Sequence, residues 1–237
     1  MINPDLDFRR LAAQFRRHRR VQIHDFLAPD VAAKIEQTLL NEIEWSLALC
    51  LDGEDRLFSR DEWAGMAEAE RRGLIARANE SGRRGFQYVF EYYPMRAAFH
   101  EAWDPPSALN DVVAWIESDA FLQAVREVCG DRTVVAADCQ ATCYRTGHYL
   151  NQHDDMQHAS RRLAYVLNLT RAWRTDWGGL LLFFDAAGNV AEGYAPAFNV
   201  LNLFAVPVVH AVSFVSPLAG AQRLAITGWL HDQPAPQ

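Results

Sequence analysis

Lysine is almost missing from this chain. Lys34 stands alone, and every other one of the 23 Lys+Arg residues is arginine. The skew reads as compositional bias, so a single arginine carries functional weight only where its surroundings demand an anion. Positive charge is short overall: 30 acidic residues against 23 basic ones leave a net charge of -7. That balance excludes nonspecific nucleic-acid binding as the main role. Cysteine is scarce too, with Cys50, Cys129, Cys139 and Cys143 the only four. Four are too few for a disulfide scaffold at this length. They form no CxxC pair, so a thiolate zinc site is unsupported and reduced core thiols are expected.

Other signals are missing as well. The start, Met1-Ile2-Asn3-Pro4-Asp5, has no basic segment followed by an apolar one, so no secretory leader is read there. No GxSxG nucleophile motif, internal repeat or low-complexity linker occurs. The longest apolar stretch, 198–221, contains Asn199, Asn202, Pro207, His210 and Pro217. Each disfavours a lipid-exposed helix, so buried strands are expected instead. The expected compartment is the cytoplasm.

What is present describes a globular chain. Hydrophobic residues at 50% with charged residues at 22% give a soluble globular profile rather than a disordered one. A length of 237 residues suits one domain with a full core. We expect a mainly helical support and lid region over 1–85 and a β-rich core over 86–231. Asn3-Pro4 reads as a helix start, with Leu6, Phe8, Leu11 and Phe15 at near-helical spacing. A short strand is expected over 21–26, a helix from Pro29 to about Asn41, and a strand over 45–51. A polar turn at 52–55, a helix over 60–79, a break at Asp104-Pro105-Pro106 and one or two helices over 109–128 follow. From Thr133 short apolar segments alternate with turns, as in an antiparallel sandwich. The expected strands are 134–144, 149–153, 163–169, 179–184, 191–194, 199–204, 210–215 and 224–230. An earlier strand, 86–92, puts Phe86, Tyr88, Phe90 and Tyr92 on one face, which reads as core. The fold class is α+β.

Three segments carry chemistry. In Tyr149-Leu150-Asn151-Gln152-His153-Asp154-Asp155 a strand end would put His153 and Asp155 on one face. An imidazole and a carboxylate are two ligands of a 2-His-1-carboxylate metal triad. His210 lies in the apolar run Val206-Pro207-Val208-Val209-His210-Ala211-Val212, where it needs a hydrogen-bond partner or a metal. In Arg223-Leu224-Ala225-Ile226-Thr227-Gly228-Trp229-Leu230, residues 223, 225, 227 and 229 share a strand face. If that face is inward, a guanidinium enters the core, where its planar fork suits a carboxylate. Three ligands on one side of an iron leave positions for a 2-oxo acid and dioxygen, with Arg223 on the distal carboxylate. These are the parts of a 2-oxoglutarate-dependent Fe(II) oxygenase.

The ordered set of His153-Asp154-Asp155, Trp177-Gly178-Gly179-Leu180, His210 and the Arg223–Trp229 run resembles the prolyl-4-hydroxylase-type 2-oxoglutarate/Fe(II) oxygenases. The resemblance is to bacterial relatives of the ribosomal prolyl hydroxylases, over about residues 86–231. It implies a distorted double-stranded β-helix (jelly roll) with iron at its open end. It implies iron ligands at His153, Asp155 and His210, and a salt bridge from Arg223 to the cosubstrate. Tyr144, Thr227 and Trp229 match cosubstrate-pocket positions. Asn168 stands where relatives tend to carry a tyrosine; it is placed among the cosubstrate contacts, either donating a shorter hydrogen bond or leaving the work to Arg223 and water.

The implied reaction is hydroxylation of an unactivated C–H bond, of a prolyl residue in a protein, releasing succinate and CO2. Fe(II), 2-oxoglutarate and O2 are the implied cofactors, with ascorbate a candidate reductant. The implied partner is a protein substrate or a small molecule; no membrane or specific nucleic acid is expected. Loops 51–59, 81–85 and 156–162 would form the rim, with Arg161 and Arg162 read as solvated charge. Alternatives are a metal- and 2-oxoglutarate-binding β-sandwich without turnover, a hydroxylase of a free amino acid or small metabolite, and a cupin-like enzyme using no 2-oxoglutarate.

Overall fold

The computed structural model describes residues 1–103, 105–156 and 158–234. Helices dominate the first half: α1 (Phe8–His18), α2 (Pro29–Asn41), α3 (Arg60–Gly65), α4 (Glu68–Gly82), α5 (Met95–His100), α6 (Ala108–Ile116) and α7 (Asp119–Cys129). Strands β1 (Arg20–Ile23), β2 (Ser46–Leu51), β3 (Glu54–Phe58) and β4 (Tyr88–Tyr93) lie among them. The second half is nearly all β: β5 (Ala136–Ala137), β6 (Gln140–Tyr144), β7 (Tyr149–His153), β8 (Arg161–Asn168), β9 (Leu181–Phe184), β10 (Val190–Tyr194), β11 (Val200–Ala205), β12 (His210–Val212) and β13 (Arg223–His231).

The strands pair antiparallel in the order β1-β11-β8-β13-β6-β4-β7-β12-β9-β10, with the β2–β3 hairpin on β4. This sheet curls on itself. Its longer limb turns one face to the helices and the other to the shorter limb, as the expected α+β jelly roll requires. Alternation decides which residue meets which layer. Leu163, Tyr165 and Leu167 of β8, Leu201 and Leu203 of β11, and Leu224, Ile226 and Leu230 of β13 pack with Phe15, Leu39, Val112 and Phe121 of the helices. Ala164, Val166, Phe204 and Ala225 look inward at Leu181 and Phe183. Each large buried side chain contributes about 1.5–3 kcal/mol. No helix among the described residues is long and apolar enough to cross a membrane.

Several local expectations change. Asn3-Pro4 does not start α1: Asp7 caps it by accepting from the Arg10 amide, and Asn3 instead braces Asp5 and the Asp25 carbonyl. The helix expected over 60–79 is two, because Met66 and Ala67 are extended. The 52–55 turn already opens β3, and α5 forms where no element was read. The strand expected over 134–144 breaks at Asp138, which leaves β5 and β6 on either side. The predicted break at Asp104 and the rim position Gln157 lie outside the described residues. Asn199, costly in lipid, is at home here: it accepts from the Leu27 amide at 2.9 Å and donates to the Leu27 carbonyl at 2.8 Å.

The Trp177-Gly178-Gly179-Leu180 motif has a steric reason. Gly178 has φ 73° and ψ -148°, a region that side chains exclude. A Cβ on Gly178 would sit 1.9 Å from the Phe214 carbonyl oxygen, which belongs to the backbone following β12. The motif therefore seats the chain against the strand that carries His210. Gly178→Ala is expected to cost more than about 2 kcal/mol of stability, read by urea unfolding; wild-type unfolding in that variant would refute the steric account.

Candidate functional site

Strands β7 and β12 pair so that His153 stands directly opposite His210. Their rings lie 4.1 Å apart. Each imidazole is held from behind. His153 Nδ1 faces the Asn151 carbonyl at 2.9 Å, and His210 Nδ1 faces the Val208 carbonyl at 2.8 Å. A carbonyl can only accept, so it keeps the proton on Nδ1 and frees Nε2 as a lone-pair donor. Both Nε2 atoms then face one carboxylate. Asp155 Oδ1 is 3.6 Å from His153 and Oδ2 is 3.4 Å from His210. These separations exceed direct hydrogen bonds. The three ligating atoms lie within 4.8 Å of one another, and Asp155 and His210 are buried. Burial and the adjacent His153 push the His210 pKa down to about 4, so it is neutral and ready to ligate.

The arrival of Asp155 differs from the expected strand alternation. Strand β7 ends at His153, and Asp155 sits in the bend beyond it with φ 63°. A left-handed aspartate is uncommon and costs free energy. The turn, rather than the pleat, brings the carboxylate to the two histidines.

Arg223 opens β13 on the inward face, as the alternation over 223, 225, 227 and 229 predicts. It is only 1% exposed. Its guanidinium lies over the Tyr144 ring, 4.8 Å from the centroid, and its Nε has no hydrogen-bond partner. No carboxylate pairs with it among the described residues. Burial lowers its pKa, yet a guanidinium stays cationic. A buried cation without a protein counterion calls for an anionic ligand. Burial also raises the Tyr144 hydroxyl to about 12, which keeps it a neutral donor.

One cavity of about 850 Å³ joins these groups. Its lining includes His153, Asp155, His210, Arg223, Tyr144, Thr227 and Trp229. Asn168 is not in that lining. It is buried, and its Nδ2 lies near the Val166 and Val200 carbonyls, at 3.5 and 3.3 Å, instead of reaching a cosubstrate position. The residues fit iron and 2-oxoglutarate on two observations: the three-point ligand set with its fixed histidine tautomers, and the uncompensated guanidinium in the same cavity.

Two features reverse the sequence reading. Phe86, Tyr88 and Phe90 form a cavity wall rather than core. Phe86 is 41% exposed and packs 5.3 Å from the His153 ring, and Phe90 stacks on Tyr144 at 5.3 Å. A two-residue period shows that such a stripe shares a face, not what that face meets. Arg161 is no solvated loop charge either. Register slips between β13 and β8, where Leu230 faces Leu163 but His231 faces Arg161, so Arg162 is an extra residue. The bulge turns Arg161 into the cavity. There it lies over the Trp229 ring at 3.6 Å and 3.4 Å from Asp155. Arg161 Nε and Trp229 Nε1 are both buried without a partner. Loops 51–59 and 81–85 do reach the rim, through Asp52, Asp55, Ser81 and Gly85.

Residues 139–231 match the family model of the 2OG-Fe(II) oxygenase superfamily. No curated protein matches the chain. Among solved structures, a prolyl-4-hydroxylase from Pseudomonas putida superposes with a TM-score of 0.60 at 19% identity, covering 96% of this chain and 100% of that one. A prolyl hydroxylase from Trichoplax adhaerens, solved with a hypoxia inducible factor peptide fragment, gives 0.60 at 18% identity over 95% and 89% of the two chains. The non-heme alpha ketoglutarate dependent epimerase SnoN gives 0.55 at 10% identity over 95% and 80%. The matched segment holds all three members of the His-Asp-His cluster, and the chain shares its fold with these solved structures, so residues 139–231 are similar to the 2OG-Fe(II) oxygenase superfamily.

Proposed function

We propose that this protein hydroxylates a prolyl residue of a protein substrate, with iron held by His153, Asp155 and His210 and 2-oxoglutarate by Arg223. The observation that carries the reading is Arg223, a buried cation without a protein anion in the same cavity as the three ligating side chains. Bound iron and 2-oxoglutarate would supply the oxidising power, consuming O2 and releasing succinate and CO2 as one oxygen atom enters a C–H bond.

The chain's own residues supply position and dryness. The Asn151 and Val208 carbonyls hold both imidazoles in the ligating tautomer. Arg223 offers a fork to the distal carboxylate, and Tyr144 presents a neutral phenol beside it. Leu181, Val212 and Phe204 keep water from the inner wall. The substrate end has its own chemistry. Arg161 Nε and Trp229 Nε1 are neighbouring donors without partners, and a backbone carbonyl is an acceptor they could share. The Phe86–Tyr88–Phe90 wall offers apolar ring faces, which suit a pyrrolidine. These two features favour a peptidyl proline over a free amino acid, whose charged ends the wall would leave unsolvated.

His153→Ala and Asp155→Ala should each abolish Fe(II)-dependent formation of succinate from 2-oxoglutarate; turnover retained in both would refute the ligand set. Arg223→Ala, leaving the iron ligands in place, should raise the 2-oxoglutarate KM by about two orders of magnitude, as expected when a buried ion pair loses one partner. An unchanged KM would mean the cosubstrate binds elsewhere or not at all. Substrate class is decided by mass spectrometry of a proline-containing peptide library and a panel of free amino acids, each incubated with the reconstituted enzyme. We expect a gain of one oxygen on a peptidyl proline; oxygen gain confined to the free amino acids would favour the small-molecule alternative.

A further inference from the structure

The break at Asp138 leaves a buried polar chain that the oxygenase reading has not used. His231, at the end of β13, is 0% exposed. Its Nε2 lies 3.0 Å from Asp138 Oδ2, and its Nδ1 lies 3.0 Å from Ser160 Oγ. The carboxylate can only accept, so Nε2 carries a proton and, in the neutral ring, Nδ1 accepts from the Ser160 hydroxyl. The other Asp138 oxygen accepts from the Trp229 amide at 2.7 Å, and its carbonyl accepts from the Tyr165 hydroxyl at 2.7 Å. A Cβ on Gly228 would stand 2.1 Å from that carbonyl, so a glycine is needed for Asp138 to come this close. On the other side the Asp232 amide donates to the Ser160 carbonyl at 3.0 Å.

The two ends of this chain coincide with the two members of the stacked pair at the cavity mouth. Ser160 immediately precedes Arg161, and Asp138 grips the backbone of Trp229. Arg161 is also the residue that the bulge turns inward, and Ser160 ends the turn that leads into it. We propose that Asp138, His231 and Ser160 are positioning residues: they lock the Arg161–Trp229 stack and so set the pose of the substrate, without touching iron or 2-oxoglutarate. The proposal rests on reading this mouth as the substrate entrance. A satisfied buried network of this kind fixes geometry more than it adds stability. The three residues have the identities of a nucleophilic triad, but the histidine is fully enclosed and Ser160 Oγ meets Nδ1 while the aspartate takes Nε2, so the arrangement orients neighbours.

The test uses the full chain and a signal that needs no substrate. Arg161 lies over the Trp229 ring, so its Nε–H resonance should be displaced upfield by the ring current, and Arg161→Lys identifies the peak. Ser160→Ala and His231→Phe should abolish the displacement, and Ser160→Thr should retain it. If His231→Phe fails to fold, Ser160→Ala decides. Displacement that persists in Ser160→Ala, with only a lower Tm, would overturn the proposal. With a peptide substrate in hand, Ser160→Ala should raise the peptide KM by about tenfold, the loss of one well-placed hydrogen bond. The 2-oxoglutarate KM should stay unchanged, and a parallel rise in both would also overturn the proposal. Failure to find any peptide substrate would count against the prolyl reading, while the Arg161 resonance would still decide the role of the network.

Discussion

A guanidinium sealed inside a protein must meet an anion, or the fold carries its desolvation cost for nothing. Arg223 is in that position, and the organisation of the chain follows from it. The inner face of β13 carries the charge, and the opposing limb of the curled sheet brings His153, Asp155 and His210 to the same cavity. The cavity is therefore polarised. A cation sits at one end, a two-histidine, one-carboxylate cluster at the other, and apolar side chains line much of the space between. A dicarboxylate with an adjacent keto group is complementary to that arrangement.

The helices serve this geometry indirectly. By covering the outer face of β8, β11 and β13 they let those strands be apolar on both sides. The inner face then remains for small residues such as Ala164 and Ala225, which keep the interior open. Close approaches of backbone to backbone do the rest. Gly178 admits the Phe214 carbonyl, and Gly228 admits that of Asp138. Each places one wall of the cavity at a distance no other residue permits.

Two kinds of backbone build the cavity. Regular pairing sets His153 and His210 opposite one another and puts Arg223 at a strand start. Irregularities place the rest: the left-handed turn at Asp155, the bulge at Arg162 and the strand break at Asp138. Irregular backbone re-aims side chains without changing the fold, so a family can keep its chemistry and vary what it binds.

Much of this was legible in the residues. The β-rich second half and the inward set 223, 225, 227 and 229 follow from alternation, and His153, Asp155, His210 and Arg223 stood out by the chemistry of their side chains, although a turn and not the pleat delivers Asp155. Period-two patterning survives wherever strands are regular, because the pleat enforces it. It fails where the backbone departs from the pleat, and there only tertiary structure decided. The bulge reversed the expected exposure of Arg161. The choice of neighbour turned the Phe86–Tyr88–Phe90 stripe from core to cavity wall, and the Asn168 amide turned its Nδ2 to the Val166 and Val200 carbonyls. Which residues share a face is a local property of the chain, whereas what that face meets depends on strands paired from far along the sequence.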